Sequence, residues 1–205
     1  PTMFSQVTIP AVGITWHHLK MSISGSRIQV FYDNSPTPIA DVTDTTFVSG
    51  YPEIGLYTSG NTYGPSYNNF IVRDSLDQIV FSDDFGTDTT PYNPLAPWIL
   101  QAGSWSVAGD ELKSLVPPTG HTFVYNNATW TDYSMEGRIQ FPAGAYAGCF
   151  GGRLNTSTGA QYMACVYPDG SPGGSNVLRL INVTNWTSWS WSPISSVNLP
   201  SVGTG

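Results

Sequence analysis

Apolar and polar residues alternate in short runs along this chain. Residues 20–24 read Lys-Met-Ser-Ile-Ser, Gly25 and Ser26 follow, and residues 27–32 read Arg-Ile-Gln-Val-Phe-Tyr. Two period-two runs around a two-residue turn predict a β-hairpin. Residues 70–73, 78–81 and 134–141 predict further short strands. Residues 148–153 and 161–167 flank the turn sequence Asn155-Thr156-Ser157-Thr158-Gly159 and predict a second hairpin, and residues 177–183 close the series. No twelve-residue stretch carries a 3.6-residue period of good helix formers. With 21 Gly and 16 Pro as punctuation, the pattern predicts an all-β sandwich or jelly roll.

Composition narrows the function classes. Of 205 residues, 40% are hydrophobic, 13% aromatic and 10% charged. That is enough to fill a core and is the reverse of a disordered composition. The net charge is −7, and seven Lys plus Arg build no basic stripe, which argues against nucleic-acid binding. No apolar run approaches the roughly 18 residues that a membrane helix needs. The chain opens at Pro1 without an initiator Met, which reads as a mature or excised fragment.

The order of the segments carries a resemblance. From Asp83-Asp84-Phe85 onward come Trp98, Trp105, Gly109-Asp110, then Trp130-Thr131-Asp132-Tyr133 with Glu136-Gly137-Arg138, then Gly151-Gly152-Arg153-Leu154. This resembles the opening two-thirds of a laminin G-like β-sandwich of the concanavalin A-like superfamily. Trp16-His17-His18-Leu19, the Gly25 hairpin, Asp33, Gly50, Ile54-Gly55-Leu56 and Asn69-Phe70-Ile71-Val72 resemble its closing third. The resemblance implies a concanavalin A-like jelly-roll sandwich whose head and tail stand in swapped order along the chain.

An internal duplication bears on that order. Residues 4–13 align with residues 194–203 at an offset of 190, with Ser5/Ser195, Val7/Val197, Pro10/Pro200, Val12/Val202 and Gly13/Gly203 identical. Such self-similarity is the mark of a repeat. The expected organisation is residues 1–75 as the C-terminal third of one sandwich, 76–82 as a bridge, and 83–205 as the N-terminal two-thirds of the next. Each half alone leaves strand edges unpaired. Residues 16–24 are therefore expected to pair with a neighbouring copy, head to tail.

Candidate chemistry is sparse. Cys149 and Cys165 stand at nearly equal distances from the turn near Ser157, which places them across a hairpin, as a disulfide or as two buried thiols. Sequons occur at Asn127, Asn155, Asn182 and Asn185, candidate glycosylation sites in a secreted protein. Trp186, Trp189 and Trp191 are a candidate sugar-stacking platform or a core cluster. Asp83 and Asp84 are candidate Ca²⁺ ligands or solvated turn residues, and no other cofactor is expected. Family 16 glycoside hydrolases of the same superfamily place paired acids on one strand. Here Glu53, Glu111 and Glu136 are far apart, so no catalytic residue is assigned. His17 and His18 alternate across a strand and point to opposite faces.

Two readings follow. One is a noncatalytic extracellular or cell-surface structural repeat, whose copies associate head to tail into a filament or adhesive stalk. The other is a carbohydrate-binding module of a secreted enzyme or adhesin, with glycans as partners. Neither is an enzyme.

Overall fold

The structure is a computed structural model, and it describes residues 15–59, 64–86, 97–114, 119–186, 188–189 and 193–199. Sixteen strands and no helix occur among them. The first half supplies β1 (His17–Ser24), β2 (Arg27–Tyr32), β3 (Ala40–Thr43), β4 (Tyr51–Ser59), β5 (Ser66–Asp74) and β6 (Ile79–Asp83). Then come β7 (Trp98–Ala102), β8 (Trp105–Val107), β9 (Leu112–Ser114), β10 (Thr119–Asn126) and β11 (Tyr133–Gln140). The series ends with β12 (Ala147–Leu154), β13 (Gln161–Tyr167), β14 (Val177–Asn185), β15 (Ser188–Trp189) and β16 (Ser195–Asn198).

The strands form two antiparallel eight-stranded sheets. The first runs β3-β2-β1-β11-β5-β9-β8, with β6 also on β5. The second runs β15-β14-β13-β12-β4-β10-β7, with β16 also on β14. Alternation sends Leu19, Met21, Ile23, Ile28, Val30, Met135 and Ile139 inward from the first sheet. Ile54, Leu56, Val124, Phe150, Tyr162 and Leu180 come inward from the second, and all are buried in one core. This is the all-β sandwich expected from the alternation. Both expected hairpins form: Ser24 pairs with Arg27 around Gly25 at φ 55°, and Cys149 pairs with Cys165.

The expectation that completion comes from a neighbouring copy is corrected by the strand pairing. β1 pairs along its length with β11 of the same chain, from His17 opposite Ile139 to Ile23 opposite Tyr133. β4 lies between β10 and β12. The two halves thus interleave within one chain. The physical reason is proximity: a complementary half on the same chain has a high effective concentration, which a separate copy must exceed. The stretch 76–82, expected as a bridge, contains a turn and most of β6, which pairs back on β5. Of the duplicated stretch, residues 4–13 and 200–203 lie outside the described residues, while residues 195–198 are β16.

One irregularity ties the halves together. β4 carries Pro52, which has no N–H to donate to a ladder. The register of β12 against β4 skips from Gly151 opposite Glu53 to Leu154 opposite Tyr51. The bulge thus falls opposite the proline. Within it Arg153 adopts φ 55°, and its N–H donates to Tyr133 Oη at 2.6 Å instead of to β4. The bulge aims the guanidinium into the end of the sandwich, where it is 2% exposed. It donates to the carbonyls of Gly25 (2.8 Å), Phe47 (2.7 Å) and Thr131 (2.8 and 3.0 Å), and to Asp132 Oδ1 (3.3 Å). Gly50 must be glycine here, since a Cβ would lie 2.3 Å from the carbonyl carbon of Arg153.

Replacing Arg153 by Met keeps the stem but strands these acceptors. Buried groups that lose a charged partner cost on the order of 3–5 kcal/mol. The urea midpoint of Arg153→Met should fall accordingly, and Arg153→Lys should recover little, because an ammonium lacks the planar fork. A loss under about 1 kcal/mol would show that the acceptors find other donors.

Candidate functional site on the outer face of the second sheet

The second sheet has an outer face that is unusually apolar for the surface of a sandwich. Phe123, Cys149, Met163, Cys165, Ile181 and Val183 form a buried cluster there, separate from the main core, with Trp186 packed against it. Cys149 and Cys165 are joined as a disulfide, with Cα atoms 4.1 Å apart. The cross-hairpin placement read from the sequence is thus a bond, of the kind that persists in oxidising compartments.

Two glycines shape the middle of this face. A Cβ on Gly151 would lie 2.3 Å from Gln161 Oε1 and 3.1 Å from Glu53 Cβ. One on Gly55 would lie 2.8 Å from Glu53 Oε1, 2.7 Å from Phe123 Cδ1 and 2.9 Å from Met163 Cε. Without side chains at these points, Glu53 and Gln161 lie down against the sheet, and Phe123 and Met163 close in beside the carboxyl. Glu53 and Gln161 are both 0% exposed. No well-formed hydrogen bond reaches either Glu53 oxygen or either terminal atom of Gln161, although the Gln161 amide lies close enough to act on the carboxyl. Burial pushes the Glu53 carboxyl well above its ordinary value of 4.5, with the Gln161 amide opposing that shift. The carboxyl is thereby held as a neutral acid where a free one would ionise.

Aromatic rings flank the pair. Tyr125 stands opposite Glu53 in the ladder, and its ring lies 5.3 Å from that of Tyr51. Both tyrosines are half-buried. At the far end of β4, Tyr57 meets Tyr146 edge-on at 4.6 Å, and Tyr146 meets Tyr167 at 6.0 Å. Arg179 lies over the Tyr167 ring at 4.6 Å. Tyr57 stands six positions along β4 from Tyr51, so the two clusters are about 20 Å apart along the strand.

The residues singled out in the sequence fall as follows. Trp186 is half-buried, 5.4 Å from the Phe123 ring, with its indole N–H donating to the Thr156 carbonyl at 3.3 Å. Trp189 belongs to β15 opposite Val183, and Trp191 lies outside the described residues. Asn127 and Asn155 are exposed, and Asn182 and Asn185 half-buried. Asn155 Oδ1 accepts from the N–H groups of Ser157 and Thr158, capping its turn. Asp83 is buried, its oxygens accepting from the Phe85 N–H (2.7 Å) and the Trp98 indole N–H (2.6 Å). Asp84 is exposed and accepts from the Gly86 N–H. No group of three His, Cys, Asp or Glu side chains able to hold a metal occurs among the described residues.

The two histidines do face opposite sides. His17 is buried, its Nδ1 3.1 Å from Asp33 Oδ2, and stacks on Tyr32. His18 lies 3.6 Å from Glu136 on the outer face of the first sheet, where Arg73 (3.1 Å) and Lys20 (3.9 Å) also meet that carboxylate. Glu111 pairs with Lys113 at 2.9 Å. What the sequence did not indicate is the Glu53–Gln161 pair. A glutamate inside an apolar strand with glycines at 55, 151 and 152 was the available signal.

No family model matches the chain. A 59-residue stretch, 29% of the chain, is 39% identical to part of a levanase from Bacillus sp. (strain L7). The match spans 6% of that protein's length, so the chain corresponds to a small part of it.

The raised Glu53 carboxyl has a consequence for stability. Its native value lies above the unfolded one, so the stability it contributes is whole below about pH 4.5 and is lost as pH rises through the native value. Glu53→Gln, neutral at every pH, should flatten this decline. Urea midpoints between pH 4.5 and 9 check it: the variant should gain on the wild type as pH rises. Parallel profiles would mean that Glu53 ionises freely in the fold.

Proposed function

We propose that this chain is a noncatalytic carbohydrate-binding sandwich of the concanavalin A-like kind, carried by a secreted or cell-surface protein. Its ligand face is the outer face of the second sheet. The observation that carries this is the buried Glu53–Gln161 pair, in poor hydrogen-bonding geometry, beside the half-buried Tyr51–Tyr125 rings. When protonated, the Glu53 carboxyl offers a donor and an acceptor, as does the Gln161 amide, and both suit sugar hydroxyls. The tyrosine rings offer apolar faces to the C–H side of a sugar ring. The pair is 0% exposed, so a sugar hydroxyl reaches it only where the neighbouring Phe123 and Met163 side chains give way.

The placement of two glutamates supports the noncatalytic reading. Glu53 belongs to the outer face of the second sheet and Glu136 to the outer face of the first. Two acids on opposite sides of a sandwich cannot flank one glycosidic bond, for which separations of about 5–9.5 Å are used. The levanase match and the disulfide support a secreted, carbohydrate-associated setting. The filament reading drew its force from halves that complete one another between copies. With completion inside the chain, carbohydrate binding takes precedence.

The test is titration calorimetry against levan, inulin and neutral β-glucan fragments, with product analysis for hydrolysis. One of these classes should bind without cleavage. Removing both rings in Tyr51→Ala/Tyr125→Ala should weaken binding about tenfold. No binding to any neutral glycan, or binding indifferent to the tyrosines, would overturn the assignment.

A further inference from the structure

The far end of the same outer face holds a cation without a carboxylate. The chain sets seven Lys and Arg against fourteen Asp and Glu, so acidic partners are plentiful. Lys20, Arg27, Arg73, Lys113 and Arg153 each meet one. Arg138 is exposed and lies over the Trp16 ring. Arg179 is half-buried and meets no carboxylate among the described residues. It belongs to β14, opposite Cys165 of the disulfide, and its guanidinium lies 4.6 Å from the centre of the Tyr167 ring. Its charge acts on the Tyr146 and Tyr167 hydroxyls, opposing the upward push that burial gives both. The loop over residues 168–176 closes around this group. A Cβ on Gly173 would lie 2.3 Å from Tyr146 Cε1 and 2.6 Å from Tyr167 Cε1, and one on Gly174 would lie 2.7 Å from Arg179 Nη2. The loop's own acid, Asp169, is held within it, accepting from Ser175 Oγ at 3.0 Å and Asn176 Nδ2 at 3.2 Å.

We propose that Tyr57, Tyr146 and Tyr167 with Arg179 form a subsite for a carboxylate-bearing sugar, a uronate, at one end of the glycan on this face. The inference rests on the reading of the outer face as a glycan surface and adds which sugar is selected and where. A guanidinium carries five N–H donors in a planar fork, of which the Tyr167 hydroxyl engages only part. The fork matches the two oxygens of a carboxylate. The neighbouring rings offer apolar faces to the sugar itself. The Tyr51–Tyr125 and Tyr57–Tyr146 clusters stand about 20 Å apart along β4, the reach of about four sugar units in an extended chain. The two ends differ in sign. No cation stands beside Glu53, so an acidic unit finds its counter-charge at the Arg179 end alone. The face is thereby directional.

The test is titration calorimetry with matched pairs of probes. These are β-1,4-glucan and β-2,6-fructan pentamers, each neutral or with the primary alcohol of its non-reducing terminal unit oxidised to a carboxylate. One oxidised pentamer should bind about tenfold tighter than its neutral parent, and the advantage should shrink as salt rises. Arg179→Gln should abolish the advantage while leaving the neutral affinity and the urea midpoint nearly unchanged. Arg179→Lys, which keeps the charge without the fork, should restore part of it. Equal binding of neutral and oxidised forms would overturn the uronate subsite and leave the glycan face standing, whereas no binding of any pentamer would overturn both. An advantage that persists in Arg179→Gln would also overturn the subsite. So would displacement of the oxidised pentamer by an equal concentration of hexaglutamate, which would mark the cation as a site for acidic peptides.

Discussion

A proline in the middle of a sheet is the constraint around which this sandwich is arranged. β4 lies between β10 and β12, a position where each residue ordinarily serves a ladder. Pro52 cannot donate, and β12 answers with a bulge whose extra residue is Arg153 in the left-handed region. Bulges re-aim side chains, and this one sends a guanidinium to the carbonyls of Gly25, Phe47 and Thr131. Gly25 and Phe47 belong to the first half of the chain, Thr131 to the second. A local defect in one sheet therefore becomes the joint between segments more than a hundred residues apart.

The two outer faces of the sandwich are chemically unlike. On the first sheet, Glu136 is ringed by His18, Lys20 and Arg73, an ionic surface whose charges satisfy one another. On the second, Glu53 is buried with no cation beside it, next to the equally buried Gln161 amide. The first face is electrostatically settled, while the second keeps hydrogen-bonding capacity in reserve beside aromatic rings.

The sequence made the hairpins legible because their inward and outward positions alternate without interruption, as in β1 and β2. It concealed β4, in which Pro52, Glu53 and Gly55 each argue against a central strand. Only the facing bulge, and side chains folding over from β10 and β13, make those residues fit. The disulfide was legible because both cysteines share one hairpin, whose turn sets their register. Glu53 and Gln161 were not, because they meet through the pairing order β4-β12-β13, which no local pattern encodes. The misjudged element was the source of completion. The duplication at residues 4–13 and 194–203 suggested neighbouring copies, yet the chain already contains both complementary halves.

The interleaving has a consequence for how the molecule is made. A ribosome delivers β1 through β6 before any of β10, β11 or β12 exists. During that interval β1 can pair only with β2, and β4 has neither of its eventual neighbours. The edges that later meet β11 and β12 are presented bare, and bare edges invite pairing with other chains. The decisive contacts are nonlocal, which slows closure of such topologies. The nascent half therefore passes through a window of vulnerability that ends when β12 emerges and Arg153 can be caged. Gly55 and Pro52, which make β4 a poor strand on its own, also make it a poor template for a stranger during that wait.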